Sequence, residues 1–151
     1  MLNKGDKVVN FTAILSNGEI FNLYETLKKK MLVIFFYPKN FSPFCTKEVC
    51  LFRDNYHKIT DNEAFLIGVS SNSMESHLEF IIQNQLSFPL ISDEDNKIGS
   101  IFGILRLGGI LPSKRATFII DRNAEILYTG HFEFEIQNHI EEVINIIENM
   151  N

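Results

Sequence analysis

Residues 31–50 read MLVIFFYPKNFSPFCTKEVC, and their reading decides the fold. Met31 to Tyr37 form an unbroken apolar run, as expected of a central strand covered on both faces. A helix is predicted from Ser42. Ser is a favoured N-cap, and Pro43 falls on the first helical position, where a missing N–H costs nothing. The helix's apolar stripe is Cys45, Val49, Phe52, Tyr56 and Ile59, at the spacing of one helical face.

This stretch holds both cysteines of the chain, Cys45 and Cys50. With Ser42 as cap, Cys45 is the third helical residue. Its N–H has no partner within the helix, and the positive end of the helix dipole there favours a thiolate, the nucleophilic form. The plainer reading is a small core residue, because free Cys is often simply buried. Cys50 weighs against that. On an ideal helix, residues five apart are rotated by about 140° and rise about 7.5 Å, which puts their Cα atoms about 8.7 Å apart. A disulfide needs less than about 7 Å. The spacing suits thiols that stay apart when reduced and join only after the first turn unwinds. Alone it is a weak signal.

Outward from this segment, VVNFTAIL, the Ser16-Asn17-Gly18 turn and EIFNLY read as an N-terminal hairpin. Lys28-Lys29-Lys30 is a solvated loop. AFLIGVS (64–70) is a buried strand, and Ser73–Gln83 a helix with Leu78, Ile81 and Ile82 facing inward. FPLISD (88–93) is a short strand and NKIGSIFGI a short helix. ATFIID (116–121) and EILYTGHF (125–132) flank a tight Arg122-Asn123 turn. A last helix from about Glu135 carries Ile136, Ile140, Val143, Ile144 and Ile147 on one face. The prediction is a single α/β domain over 1–151: a thioredoxin-like fold, its mixed sheet covered by helices on both faces, with an N-terminal hairpin extension.

At 151 residues, 45% hydrophobic and 22% charged, the chain suits one globular core. Its net charge of −5 argues against nucleic acid and anionic membranes as partners. No run approaches the roughly 20 apolar residues of a membrane span. The start, MLNKGDK, lacks a signal peptide's apolar stretch, so a cytoplasmic, reducing setting is expected, where paired thiols are more often catalytic than structural.

PKNFSPFCTKEVC resembles the peroxidatic segment of the peroxiredoxins, Pro-x-x-x-(Thr/Ser)-x-x-Cys, with Pro38, Ser42 and Cys45 at the pattern positions. Cys50, five residues on, is similar to the second cysteine of the PrxQ, or bacterioferritin-comigratory-protein, subgroup. GDKVVNFTA, IGVSSNSMESHLEF, FPLISDEDNKIGSIFGI and RATFIID extend the resemblance over nearly the whole chain. Ser42 keeps the hydroxyl where many members have Thr, and Phe44 replaces the usual Gly.

The resemblance implies a thiol peroxidase for hydrogen peroxide and organic hydroperoxides. Cys45 would be oxidised to a sulfenic acid. Arg115, the Ser42 hydroxyl and the backbone N–H groups near Phe44 and Cys45 would receive the negative charge on oxygen. Cys50 would then form a Cys45–Cys50 disulfide, reopened by thioredoxin or a similar dithiol reductant. Pro38 would shape access to the sulfur. A resolving cysteine within the chain points to a monomer, and no metal or other cofactor is expected. Such a site needs Cys45 beside Arg115 with its sulfur in reach of solvent.

Other residues read as structural. Arg53 lies about 12 Å along the helix axis from Cys45 and is expected to pair with Asp54 or Glu48. Thr46 and Glu48 match ordinary first-turn preferences, and Glu48 has the further option of holding an arginine. His77 packs or caps its helix. His57, His131 and His139 show no ligand spacing. A peroxide sensor or relay would use the same Cys45. A copper-handling module would want Cys-x-x-x-Cys, one residue shorter than the spacing here. A binding scaffold with inert thiols is the remaining alternative.

Overall fold

The computed structural model describes residues 1–150. A two-stranded hairpin, β1 (Thr12–Ile14) and β2 (Ile20–Asn22), leads through α1 (Leu23–Leu27) into the central strand β3 (Met31–Phe36). Then come α2 (Pro43–Asp54), α3 (Tyr56–Thr60), β4 (Ala64–Ser70), α4 (Met74–Asn84), β5 (Leu90–Ser92) and α5 (Lys97–Phe102). The chain closes with β6 (Ala116–Ile120), β7 (Ile126–His131) and α6 (Ile136–Glu148). The main sheet has the order β5-β4-β3-β6-β7, with β4 parallel to β3 and β5, β6 antiparallel to β3, and β7 antiparallel to β6. This is the predicted mixed sheet with its N-terminal hairpin.

The apolar run of β3 is explained by the two cores it separates. Leu32, Ile34 and Phe36 face the hairpin, α1 and α5, together with Phe21, Leu27, Phe102 and Phe118. Val33, Phe35 and Tyr37 face α2, α4 and α6, together with Cys45, Val49, Phe52, Phe80 and Ile140. Phe35 stacks on Phe52 with ring centroids 4.4 Å apart. Beside it on β4, a Cβ on Gly68 would come within 2.7 Å of both Phe35 and Leu90 side chains. Only glycine lets these strands and rings close up.

Three boundaries and one helix face differ from the sequence reading. Leu23 and Tyr24 belong to α1, because Asn22 caps it by accepting from the Glu25 N–H at 3.1 Å. The long stripe from Cys45 to Ile59 is split at Asn55 into α2 and α3, and Asn55 Nδ2 donates to the Leu51 carbonyl at 2.9 Å. Strand β5 is shorter than FPLISD. In α4 the buried residues are His77, Phe80 and Asn84, whereas Leu78 is 44% and Ile82 77% exposed. The predicted inward face of α4 is corrected accordingly; Ile81 alone of that trio is half-buried.

The turn from β3 into α2 is set by a buried polar network. Tyr37 Oη donates to Asn40 Oδ1 at 2.6 Å, and Asn40 Nδ2 donates to His77 Nδ1 at 2.9 Å. His77 Nε2 in turn donates to the Ile91 carbonyl at 2.9 Å, so this ring is the neutral Nε2–H tautomer. Burial lowers the His77 pKa, which is consistent with that neutral state. The network fixes Asn40 next to Phe41, whose φ of 66° is unusual for a bulky residue. Phe41 packs edge-on against Phe80, with centroids 5.0 Å apart. These contacts compensate a strained backbone at the entrance to α2.

Candidate active site

Helix α2 begins at Pro43 behind an extended Ser42, as its sequence predicts, and Cys45 occupies the third helical position. The first backbone bond of the turn runs from the Thr46 N–H to the Ser42 carbonyl at 2.9 Å. Arg115 stands just before β6, 70 residues away, and β6 pairs directly with β3, from whose end α2 springs. That adjacency brings Arg115 Nη1 to 3.4 Å from Cys45 Sγ. The same nitrogen donates to Glu48 Oε1 at 2.8 Å. The Arg115 carbonyl is itself fixed, accepting from the Phe132 N–H at 3.0 Å.

Glu48 is wholly buried, and Arg115 is 4% exposed. Glu48 is therefore no ordinary first-turn acid: it is the partner of Arg115, not of Arg53. Burial pushes the Glu48 carboxyl up to about 7, against the pull of Arg115. Burial alone would lower the Arg115 guanidinium, and the charges of Glu48 and Cys45 more than reverse this, holding it above its ordinary range. Glu48 Oε2 and Arg115 Nε have no hydrogen-bond partner among the described residues. The site thus keeps a permanent cation between a carboxyl that can be neutral and a sulfur.

The other predicted residues fall in different places. Ser42 Oγ donates to the Lys39 carbonyl at 3.2 Å; it caps no N–H of α2 and makes no hydrogen bond to Cys45. Pro38 is half-buried and lines a cavity of about 340 Å³ with Phe36, Asn72, Asp93, Pro112 and Ser113. Cys45 does not line that cavity. Cys50 is half-buried, its thiol donating to Asn84 Oδ1 at 3.5 Å, and both thiols are free. Arg53 pairs with Asp54 at 2.9 Å and donates to the Asn84 carbonyl at 2.7 Å. Cys45 has 0% exposure. The proximity to Arg115 is as expected, but the expected access to solvent is not present in this conformation.

Some site neighbours escaped the sequence reading. His139 lies on the buried stripe of α6, where its Nε2 bonds Thr117 Oγ1 at 2.6 Å and its ring packs on Phe132, centroids 4.2 Å apart. Burial, with the Arg115 charge adding, pushes His139 down to about 4, so it is neutral and does not compete with Arg115 as a cation. The signal was present: His139 follows Ile136 by three residues and precedes Val143 by four, on the stripe itself. Phe134 also went unremarked, and its ring lies edge-on to Phe44, centroids 5.2 Å apart. Among the described residues no three His, Cys, Asp or Glu side chains converge as a metal site would require.

Comparisons with known proteins place the chain among proteins of one family. The family described as AhpC/TSA matches residues 4–129. Chloroplastic peroxiredoxin Q of Oryza sativa subsp. japonica is 35% identical over 150 residues, covering 99% of this chain and 68% of the rice protein. That of Sedum lineare is 34% identical, covering 99% and 80%. Among solved structures, peroxidoxin BcpB from Mycobacterium tuberculosis matches with a TM-score of 0.92 at 29% identity, over 100% of this chain and 99% of its own. The bacterioferritin comigratory protein of Xanthomonas campestris, a protein with alkyl peroxide reduction activity, matches with a TM-score of 0.84 at 26% identity, over 93% and 91%.

Proposed function

This chain belongs to the AhpC/TSA family, among its peroxiredoxin Q members, and from that premise we infer how its own residues carry the reaction. It is a thiol-dependent peroxidase acting on peroxides with a thiol reductant. In our reading Cys45 is the attacking sulfur. As thiolate it bonds the nearer peroxide oxygen, the O–O bond breaks, and the departing oxygen takes a proton and leaves as water or alcohol. Cys45 is left as a sulfenic acid. Arg115 faces the charge that develops on the oxygens, and its guanidinium needs no reorganisation at that moment. Glu48 orients Arg115, and Ser42 joins the donors once its hydroxyl turns from the Lys39 carbonyl. Pro38 shapes the approach. The observation that carries this reading is Arg115 Nη1 lying 3.4 Å from Cys45 Sγ in the first turn of α2.

Cys50 then resolves the sulfenic acid as a Cys45–Cys50 disulfide. The helix geometry supports a step that waits for unwinding, because residues five apart stand about 8.7 Å apart in an intact helix. A thioredoxin-like dithiol is the proposed reductant, since the chain has no further cysteine to reopen the bond. With both reacting thiols in one chain, the working unit is a monomer. Two free thiols suit a reducing compartment, and we place the protein in the cytoplasm. The substrates are hydrogen peroxide and organic hydroperoxides, in line with the alkyl peroxide activity of the Xanthomonas relative. Steady-state turnover with peroxide, thioredoxin and thioredoxin reductase tests the scheme. Many turnovers per chain, lost in Cys45→Ser, are expected. A single stoichiometric burst that passes its disulfide to another protein would instead make the chain a peroxide sensor or relay.

A further inference from the structure

Phe44 stands beside Cys45 where the peroxiredoxin pattern usually has Gly, and its ring meets Phe134 edge-on at 67°. Phe44 is 43% and Phe134 71% exposed, so neither ring belongs to the core. Their anchors differ. Phe134 lies between β7 and α6 on a segment fixed by three contacts: the Phe132 N–H on the Arg115 carbonyl, the pairing of Glu133 with Arg106 and His131, and the buried Ile136. Phe44 is carried only by the first turn of α2. When that turn unwinds so that Cys45 can reach Cys50, Phe44 departs and Phe134 stays. The ring contact exists in the wound state alone, so it biases the equilibrium toward that state.

We propose that Phe44 and Phe134 are positioning residues, a latch that holds Cys45 beside Arg115 and sets the partition of its sulfenic acid between two fates. The proposal rests on the peroxidase reading above. In one fate the Cys50 sulfur attacks the Cys45 sulfenic sulfur: an S–S bond forms, the S–O bond breaks, and the hydroxide leaves with the Cys50 proton as water. In the other, the Cys45 sulfenate attacks a second peroxide. A new S–O bond forms, the O–O bond breaks, and sulfinic acid and water or alcohol result as sulfur is oxidised by two electrons. The latch delays the first fate and so favours the second. An edge-on ring pair corresponds to about a 2- to 13-fold bias.

The test compares wild type, Phe134→Ala, Phe134→Tyr, Phe44→Ala and the double alanine variant, each given rising hydrogen peroxide without reductant. Mass spectrometry reads the ratio of Cys45–Cys50 disulfide to Cys45 sulfinic acid, and a single-turnover trace reads the rate of disulfide formation. Phe134→Ala is expected to raise both by about 2- to 13-fold. Phe134→Tyr keeps the wild-type values, and Phe44→Ala adds nothing once Phe134 is alanine. Equal ratios in wild type and Phe134→Ala, or additive effects of the two alanines, overturn the latch and leave the peroxidase reading standing. No oxidation of Cys45 in any of these proteins overturns both.

Discussion

At Arg115 one guanidinium nitrogen serves both a sulfur and a carboxylate, at 3.4 Å and 2.8 Å. In the proposed mechanism its removal takes away the donor that faces the departing oxygen, so Arg115→Met should slow sulfenic acid formation about a hundred- to thousand-fold. Arg115→Lys keeps the charge and loses the planar fork, and its rate should fall between the two. Stopped-flow oxidation of Cys45 in a Cys50→Ser background measures this; a wild-type rate in Arg115→Met would contradict the role. Glu48 gives a prediction in pH. Its carboxyl is raised from an ordinary 4.5 to about 7, burial outweighing Arg115. Between those values the folded chain keeps a proton that the unfolded chain has lost. The stability tied to the neutral form is full below about 4.5 and is lost as pH rises toward 7. Urea unfolding of wild type should therefore weaken over that window relative to Glu48→Gln, by a few kcal/mol at most. Parallel curves for the two proteins would count against it.

At the scale of elements, local signals and distant partners divide the credit. The start of α2 was legible because Ser42-Pro43 is a local instruction, and β3 because seven consecutive apolar residues have no other stable home. Strand β4, the β6–β7 hairpin and the stripe of α6 followed from the same kind of pattern. Helix α4 was misread because MESHLEFIIQN offers two stripes. The one with more aliphatic residues, Leu78, Ile81 and Ile82, lost to one containing His77, Phe80 and Asn84. What decided was remote: Asn40 and the Ile91 carbonyl satisfy His77, and Tyr37 and Phe41 receive Phe80. Phe80→Ala should accordingly cost about 3–5 kcal/mol in chemical unfolding, while Ile82→Ala stays within about 0.5 kcal/mol. A larger loss from Ile82→Ala would reinstate the original face.

At the scale of the molecule, the fold sets a buried frame against a partly exposed turn. Residues of β3, β4 and β6 are buried between two cores, whereas the first turn of α2 carries the exposed Pro43 and Phe44. Oxidation to the disulfide should raise amide exchange across residues 42–50 and leave those three strands protected; uniform loosening, or no change near Thr46, would contradict a local unwinding. The meeting of Cys45 and Arg115 across 70 residues could be anticipated only through the topology and the family pattern, since nothing near Arg115 names a partner. The enclosure of Cys45 was half legible: its place on the apolar stripe of α2 pointed to a buried residue, whereas the family pattern asked for a sulfur in reach of solvent. The most direct measurement is intact-mass spectrometry after one equivalent of hydrogen peroxide. Wild type should lose two hydrogens as the Cys45–Cys50 bond forms, Cys50→Ser should gain one oxygen on Cys45, and Cys45→Ser should stay unchanged. Oxidation of Cys45→Ser at the wild-type rate would show that the chemistry lies on another residue.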